Sequence, residues 1–388
     1  MRVLVDYQGH WGLGDLLCSE PMVRGLRKLH GPDAEIRFRG HAGNAAYAPE
    51  LSGREIPGFH PDRTVEVKLF THMSPGDYAR LEAMPSLVDH MLSYADVWPA
   101  DRNPRLNLGP EERWFLGELG LERLPRPWIA IGPDDADVYR GWPLDRFRAL
   151  AEHVQRRGGT LIELGLRRKL GVGVDLVGVM PIRGTAAVLS ACDLFIGNNS
   201  SLLHYAQAAD VPCLCFFSLA LPERFIHQDR LVLPVQKQDL ACIDCMTRDF
   251  EGRTKAGCET APVALCMKEL RLDRALEAFD RIRDEYLADC PRPGHEGQRA
   301  RAFRARVYSE LASRLLERRY HDRARLFLAD AERRVPRSGD LIPLPSASGL
   351  LRDACETGEP ATGEGRSPGC MIAVSSSRSA ATAGSTTR

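Results

Sequence analysis

Gly197-Asn198-Asn199-Ser200-Ser201 closes an apolar run that begins at Leu194, and a small-residue segment carrying His204 and Ala206 to Ala209 follows it. A buried strand that ends in Gly, Asn and Ser and opens a helix leaves several backbone N–H groups pointing at one spot. The positive end of the helix dipole lies there too, so the arrangement favours a phosphate or diphosphate. His204 stands one helical turn after Ser200 on the same face, within reach of the same ligand. The other reading of these residues is an ordinary capped helix with a histidine satisfied in the core.

A second chemical signal is a run of thiols. Cys242 and Cys245 form a C-x-x-C pair, and Cys258 and Cys266 follow at irregular spacing. Four thiolates suit a tetrahedral site for zinc or iron; the alternative is a loop of free thiols. Cys192, Cys213 and Cys215 sit beside strand-like runs and read as small core residues.

The elements that must position these groups alternate between strand and helix. Arg2–Asp6, Ala34–Arg39 and Thr64–Phe70 read as strands, with helices at Leu16–His30, Gly76–Val97 and Pro110–Leu121. A second series starts at Trp128–Gly132 and Pro143–Arg157. It continues through strands at Thr160–Leu164, Leu176–Val179, Leu194–Gly197, Cys213–Phe217 and Leu231–Val235, with a helix at Gly184–Cys192. Two βα series predict an α/β protein of two doubly wound, Rossmann-like domains with a cleft between them, where ligands sit at the carboxyl ends of the strands. The expected division is 1–124 and 125–290, with a cysteine-rich loop at 240–266 and a long amphipathic helix at Met267–Ala288. Residues 295–336 read as a helical hairpin resembling one tetratricopeptide-type repeat, which needs the main body or a partner to pack on. Residues 338–388 lack aromatic residues and lysine and are rich in Ser, Ala, Gly, Thr and Pro, so a disordered tail is expected.

Composition narrows the partners. The 388 residues include 52 basic and 52 acidic side chains, a balance that gives no electrostatic footprint for nucleic acid. Basic clusters at Arg167-Arg168-Lys169 and along Arg299 to Arg325 read first as solvated faces and second as a weak contact with an anionic membrane surface. The chain starts directly in a strand, with no apolar signal region. Its longest apolar run, Val211 to Leu221, is broken by Pro212 and Ser218 and is too short to span a bilayer. A cytoplasmic protein is expected, so its 11 cysteines read as thiols or metal ligands rather than disulfides.

Three segments, in order, resemble the heptosyltransferases of glycosyltransferase family nine. Gly12-Leu-Gly14-Asp15-Leu-Leu-Cys-Ser-Glu-Pro21 is similar to the family's N-terminal loop and helix. Arg140-Gly-Trp142-Pro143 is similar to its K-x-W-P helix start, with Arg140 in place of lysine. Gly197-Asn-Asn-Ser-Ser-Leu-Leu-His204 resembles its nucleotide-diphosphate loop, with Asn199 where the family has an acidic residue and Ser201 where it has glycine. The resemblance spans roughly residues 1–288 and implies the two-domain GT-B architecture. It also implies inverting transfer from an ADP-heptose-like donor to a lipopolysaccharide core sugar or, second, to a protein hydroxyl.

Such transfer needs a base for the acceptor hydroxyl and charge stabilisation for the departing diphosphate. Asp15, at the end of a Gly9/Gly12/Gly14 loop, is the base the resemblance favours, and an N-cap for the following helix is its plain alternative. Gly14, Arg140, Gly197, Asn199, Ser200, Ser201 and His204 then form the nucleotide-sugar site. With helix dipole and arginine neutralising the diphosphate, catalysis requires no divalent metal. Cysteine loops also occur in protein-modifying relatives, which implies a structural zinc or iron at Cys242, Cys245, Cys258 and Cys266. Two rivals share the fold: a non-catalytic nucleotide binder or scaffold, supported by Asn199 and Ser201, and a GT-B sugar epimerase. The helical hairpin suggests a protein partner, and the basic patches a peripheral contact with the inner membrane.

Overall fold

The computed structural model describes residues 1–8, 12–40, 53–68, 77, 84, 86–134, 140–240, 242, 243, 245, 258, 264–290, 295–317 and 321–334. The expected tail at 338–388 and the Pro-Gly break at 291–294 lie outside the described residues.

The N-terminal lobe is built on β1 (Arg2–Gln8), whose residues Val3 to Tyr7 are all buried, as a strand covered on both faces requires. It pairs in parallel with β2 (Glu35–Arg39) and β3 (Arg63–Lys68), in the order β2-β1-β3. β3 alternates, with Val65 and Val67 inward and Thr64 and Glu66 outward, so this strand is wet on one face.

One helix was expected at Leu16–His30, and the chain instead forms α1 (Leu13–Cys18) and α2 (Glu20–His30). Pro21 has no N–H and would clash with the carbonyl four residues back, so a continuous helix is ruled out. Ser19 fills the break: its hydroxyl donates to Leu16 O at 2.6 Å and lies 2.6 Å from the Tyr7 hydroxyl. Within the expected helix at Gly76–Val97 lies α3 (Leu87–Ala95), capped by Ser86 Oγ on Asp89 N–H, and most of 76–85 lies outside the described residues. Next comes α4 (Pro110–Glu118), whose Glu112 pairs with Arg183 of the second lobe.

The second lobe is a six-stranded parallel sheet, order β6-β5-β4-β7-β8-β9. Its strands are β4 (Trp128–Gly132), β5 (Thr160–Glu163), β6 (Val174–Asp175), β7 (Leu194–Asn198), β8 (Cys213–Phe217) and β9 (Val232–Gln236). The helices α5 (Leu144–Arg156), α6 (Ile182–Ala191) and α7 (Ser201–Ala208) connect them. β4, β7 and β8 are buried at every position, which explains their unbroken apolar sequences. The chain winds outward from β4 to β6, then restarts at β7 on β4's other side. The switch point therefore lies between the carboxyl ends of β4 and β7, where Gly132 pairs with Gly197.

Two further expectations are corrected. The edge strand is Val174–Asp175 rather than Leu176–Val179, because Gly178 takes φ of +74° and ends the extended run. The helix expected at Met267–Ala288 divides into α8 (Leu265–Lys268) and α9 (Leu272–Glu285). At the break the Leu270 carbonyl accepts from Trp142 Nε1 at 2.8 Å and Arg146 Nη1 at 2.7 Å instead of continuing a helical ladder.

The chain then forms a helical hairpin, α10 (Gln298–Glu317) and α11 (His321–Arg334), joined through buried Phe303, Tyr308, Leu311, Phe327 and Leu328. The hairpin packs on the main body. Arg304, 4% exposed, donates to Asp229 O at 2.9 Å and pairs with Glu296, while Arg281 of α9 pairs with Glu310.

Candidate active site

At the switch point β7 ends in Asn198, a fully buried amide. Its Nδ2 donates to Pro133 O at 2.9 Å and its Oδ1 accepts from Trp142 N at 3.1 Å. One side chain thus ties the loop after β4 to the Arg140-Gly-Trp142 turn. Trp142 is also buried; its indole stacks on Phe216 at 4.3 Å and meets Phe147 edge-on at 5.2 Å. Trp142 belongs to the second motif, whereas Asn198 is not among the site residues expected from the sequence; its signal is its place at a strand end inside the Gly-Asn-Asn-Ser-Ser segment.

Asn199, nearly buried, donates its backbone N–H to Phe216 O at 3.1 Å. Ser200 is the extended N-cap residue of α7, yet no side chain caps this helix. The Ser200 hydroxyl is buried and meets no hydrogen-bond partner among the described residues. An uncapped helix N-terminus with an unsatisfied buried hydroxyl is suited to an anion. Gly197 is buried one pair from the strand end, where a Cβ would strike the Phe195 ring at 2.4 Å and Gly132 O at 2.8 Å. Its lack of a side chain serves strand packing.

From the N-terminal lobe, α1 meets α7 directly. Gly14 N donates to Ser201 Oγ at 3.3 Å across the two lobes. A Cβ on Gly14 would lie 2.5 Å from His204 Cδ2 and 3.3 Å from Ser201 Cα, so glycine permits this approach. Asp15 is half-buried on the first turn of α1, and its Oδ2 accepts from Gly12 N at 2.9 Å. The carboxylate therefore caps its own helix while standing one residue from the junction with α7.

His204 is 4% exposed rather than open to the cleft. Its pKa is pushed down to about 4, chiefly by burial and then by the charge of Arg140, so the ring is neutral at physiological pH. Arg140 opens the turn that Asn198 Oδ1 holds through Trp142 N at 3.1 Å. His204 Nδ1 lies 3.0 Å from His227 Nε2 and 3.3 Å from Cys18 Sγ. Neither Cys18 nor His227 was singled out from the sequence, and no spacing signal could have joined positions so far apart.

Residues 107–248 match the family model described as glycosyltransferase family 9 (heptosyltransferase). Over these residues the chain is similar to family 9 glycosyltransferases. The iron-containing dodecameric glycosyltransferase TibC from enterotoxigenic E. coli is similar in fold, with 15% identity, 72% of this chain and 76% of that chain covered, and a TM-score of 0.57. The TibC complex with ADP-D-β-D-heptose gives 16% identity, the same coverage and a TM-score of 0.55. A family 9 glycosyltransferase from Veillonella parvula gives 15% identity, 72% and 96% coverage, and a TM-score of 0.51. No curated protein matches the chain. At these identities the likeness to solved structures is one of fold, and it bears out the GT-B class expected from the sequence.

The matched segment holds Arg140, Gly197, Asn199, Ser200, Ser201 and His204, and α1 brings Gly14 and Asp15 to it from outside that segment. The match ends within the cysteine loop, at residue 248. Cys242, Cys245 and Cys258 are half-buried and Cys266 is buried. The Cys266 thiol is pushed up to about 12, first by burial and then by Cys245, Cys258 and Cys242. Their sulfurs do not form a compact group of three or more among the described residues, although thiolates as a donor class suit a soft metal. Cys192, Cys213 and Cys215 are fully buried, as core thiols should be. No helix of the described residues is long and apolar enough to cross a membrane.

Proposed function

We propose that the chain transfers heptose, or a related sugar, from an ADP-sugar by an inverting mechanism that uses no divalent metal at the reacting centre. The observation that carries this reading is the meeting of Gly14-Asp15 on one lobe with the uncapped N-terminus of α7 on the other. Asp15 takes the acceptor hydroxyl's proton as that oxygen attacks the anomeric carbon. The bond to the diphosphate breaks on the opposite face and ADP departs with the electron pair. Backbone N–H groups at Ser200 and Ser201, the α7 dipole and Arg140 take up the charge, as expected for a metal-free diphosphate site. Gly197 and Asn199 shape the floor, and the neutral His204 ring backs Gly14.

In this reading residues 1–124 are the acceptor side and 125–290 the nucleotide-sugar side. The acceptor is a lipopolysaccharide core sugar at the cytoplasmic face of the inner membrane, with a protein hydroxyl as the second candidate. Cys242, Cys245, Cys258 and Cys266 hold a structural zinc or iron once the loop closes on the ion, a reading supported by their donor chemistry and by iron in the similar fold of TibC. The hairpin α10–α11 offers a face to a protein partner.

The competing reading is a non-catalytic nucleotide binder, favoured by the engagement of Asp15 with Gly12 N and by Asn199 in an acidic position. ADP release from ADP-heptose, followed without added metal and with lipid and protein acceptors, separates the two. Turnover lost in Asp15→Ala supports transfer. Thermal stabilisation by ADP without turnover supports the binder, and neither response removes the diphosphate site altogether.

A further inference from the structure

Beneath the site, Cys18 Sγ, His204 Nδ1 and His227 Nε2 face one another at 3.3, 3.6 and 3.0 Å. The three side chains are 0, 4 and 3% exposed. Each ring nitrogen offers one proton or one lone pair, directed along one line, so at most two of the three edges are linear hydrogen bonds. Those two pair every atom, and the third edge remains a close contact between two buried polar atoms that no linear bond explains.

A cation at the centre satisfies all three. With metal–sulfur bonds of about 2.3 Å and metal–nitrogen bonds of about 2.0–2.1 Å, tetrahedral angles place the donor atoms roughly 3.3–3.6 Å apart. The observed edges lie within a few tenths of an ångström of that figure. Among the described residues this is the group of His, Cys and carboxylate side chains whose donor atoms are compact enough to hold one ion.

We propose that Cys18, His204 and His227 bind one zinc ion that fastens the N-terminal lobe to the second lobe. Two imidazoles and one thiolate are a zinc donor set. The ligands come from three places: the last residue of α1, the middle of α7, and the segment before β9. Gln207 of α7 holds the third in place, its Oε1 accepting from His227 N at 2.8 Å and its Nε2 donating to Phe225 O at 2.8 Å. Binding converts the Cys18 thiol to thiolate and releases its proton to solvent, and each ring keeps its proton on the nitrogen facing away from the ion. The site is buried, so the ion is structural. It sets the distance between Asp15 on α1 and Ser200 on α7, and it is separate from the four-cysteine loop.

The test uses the full chain carrying Cys242→Ser, Cys245→Ser, Cys258→Ser and Cys266→Ser, which removes the four loop thiols. This protein is loaded with Zn2+, desalted and analysed for metal by mass spectrometry, and its Co2+ form is examined by X-ray absorption. One bound ion per chain, with nitrogen and a single sulfur in its shell, is expected. Adding Cys18→Ser, or separately His227→Gln, should weaken Zn2+ binding by more than about 100-fold, beyond the effect of losing an outer-shell partner. Far-ultraviolet circular dichroism checks that each variant is folded, and either variant alone suffices if the other is not. A folded loop variant that binds no zinc, or unchanged binding after Cys18→Ser and His227→Gln, overturns the proposal. The readout is metal content, so it stands or falls independently of sugar transfer.

Discussion

Gly14 N donates to Ser201 Oγ at 3.3 Å, a bond between residues 187 positions apart that joins the first helix of one lobe to the anion-binding end of a helix in the other. A loop bearing a carboxylate and a loop suited to a diphosphate are thereby held side by side. That is the spatial requirement for a base and a leaving group to act on one sugar carbon.

Asp15 has two roles that substitution can separate. Asp15→Ala removes both the bond to Gly12 N and the base, whereas Asp15→Asn keeps an acceptor for Gly12 N and loses only basicity. Turnover should fall by about 100- to 10,000-fold in both. Thermal stability should fall by about 1 kcal/mol in Asp15→Ala alone. Full activity of Asp15→Asn would remove Asp15 as the base.

Gly14→Ala should separate α1 from α7. The new methyl would lie 2.5 Å from His204 Cδ2, and the backbone of α7 beside it leaves little room to yield. Overpacking of this kind costs about 1–3 kcal/mol. A lowered melting temperature together with weaker ADP binding by calorimetry is expected; an unchanged melting curve would contradict the tight junction.

Asn198→Ala should damage the site without touching any residue assigned to the ligand. It leaves Trp142 N without its acceptor and Pro133 O without its donor in a buried setting. The expected loss is about 1–3 kcal/mol in urea unfolding. ADP affinity should also decline, because the Arg140 turn loses its anchor. Stability that falls while ADP affinity holds would show that the turn is fixed by other contacts.

Metal-free protein should lose stability as pH falls from the ordinary histidine value of 6.5 towards about 4, the pKa to which burial pushes His204. In that window the unfolded chain binds a proton that the folded chain excludes, so the folded state is favoured above it and disfavoured on acidification. His227, shifted the same way by burial and by His204, adds to the trend. The contribution of His204 is on the order of 3 kcal/mol. Urea midpoints between pH 7.5 and 5 should drop in the native sequence and drop less in His204→Gln.

Several features were readable along the chain because they depend on local rules. The all-buried strands at Val3–Tyr7, Leu194–Asn198 and Cys213–Phe217 announce themselves as apolar runs, since a strand covered on both faces has no polar positions. The Gly-Asn-Asn-Ser-Ser turn marked the helix start, and the matched family 9 segment contains it. Boundaries were misplaced for two kinds of reason: Pro21 and Gly178 end elements by local backbone rules that the periodicity overran, whereas Trp142 with Arg146 takes the Leu270 carbonyl at the α8–α9 break from far along the chain.

The amino-acid sequence by itself determined the α/β alternation, the order of the motifs and the candidate donors for a diphosphate, because periodicity and turn chemistry act over a few residues. Tertiary structure alone decided that Gly14 meets Ser201 and so sets Asp15 beside α7, that Asn198 holds the Arg140 turn, and that His204 turns to Cys18 and His227. Those relationships join residues 23 to 187 positions apart, and the 2.5 Å clearance at Gly14 exists only once two helices pack. Spacing in sequence carries no information about such distances; close packing of the folded lobes sets them.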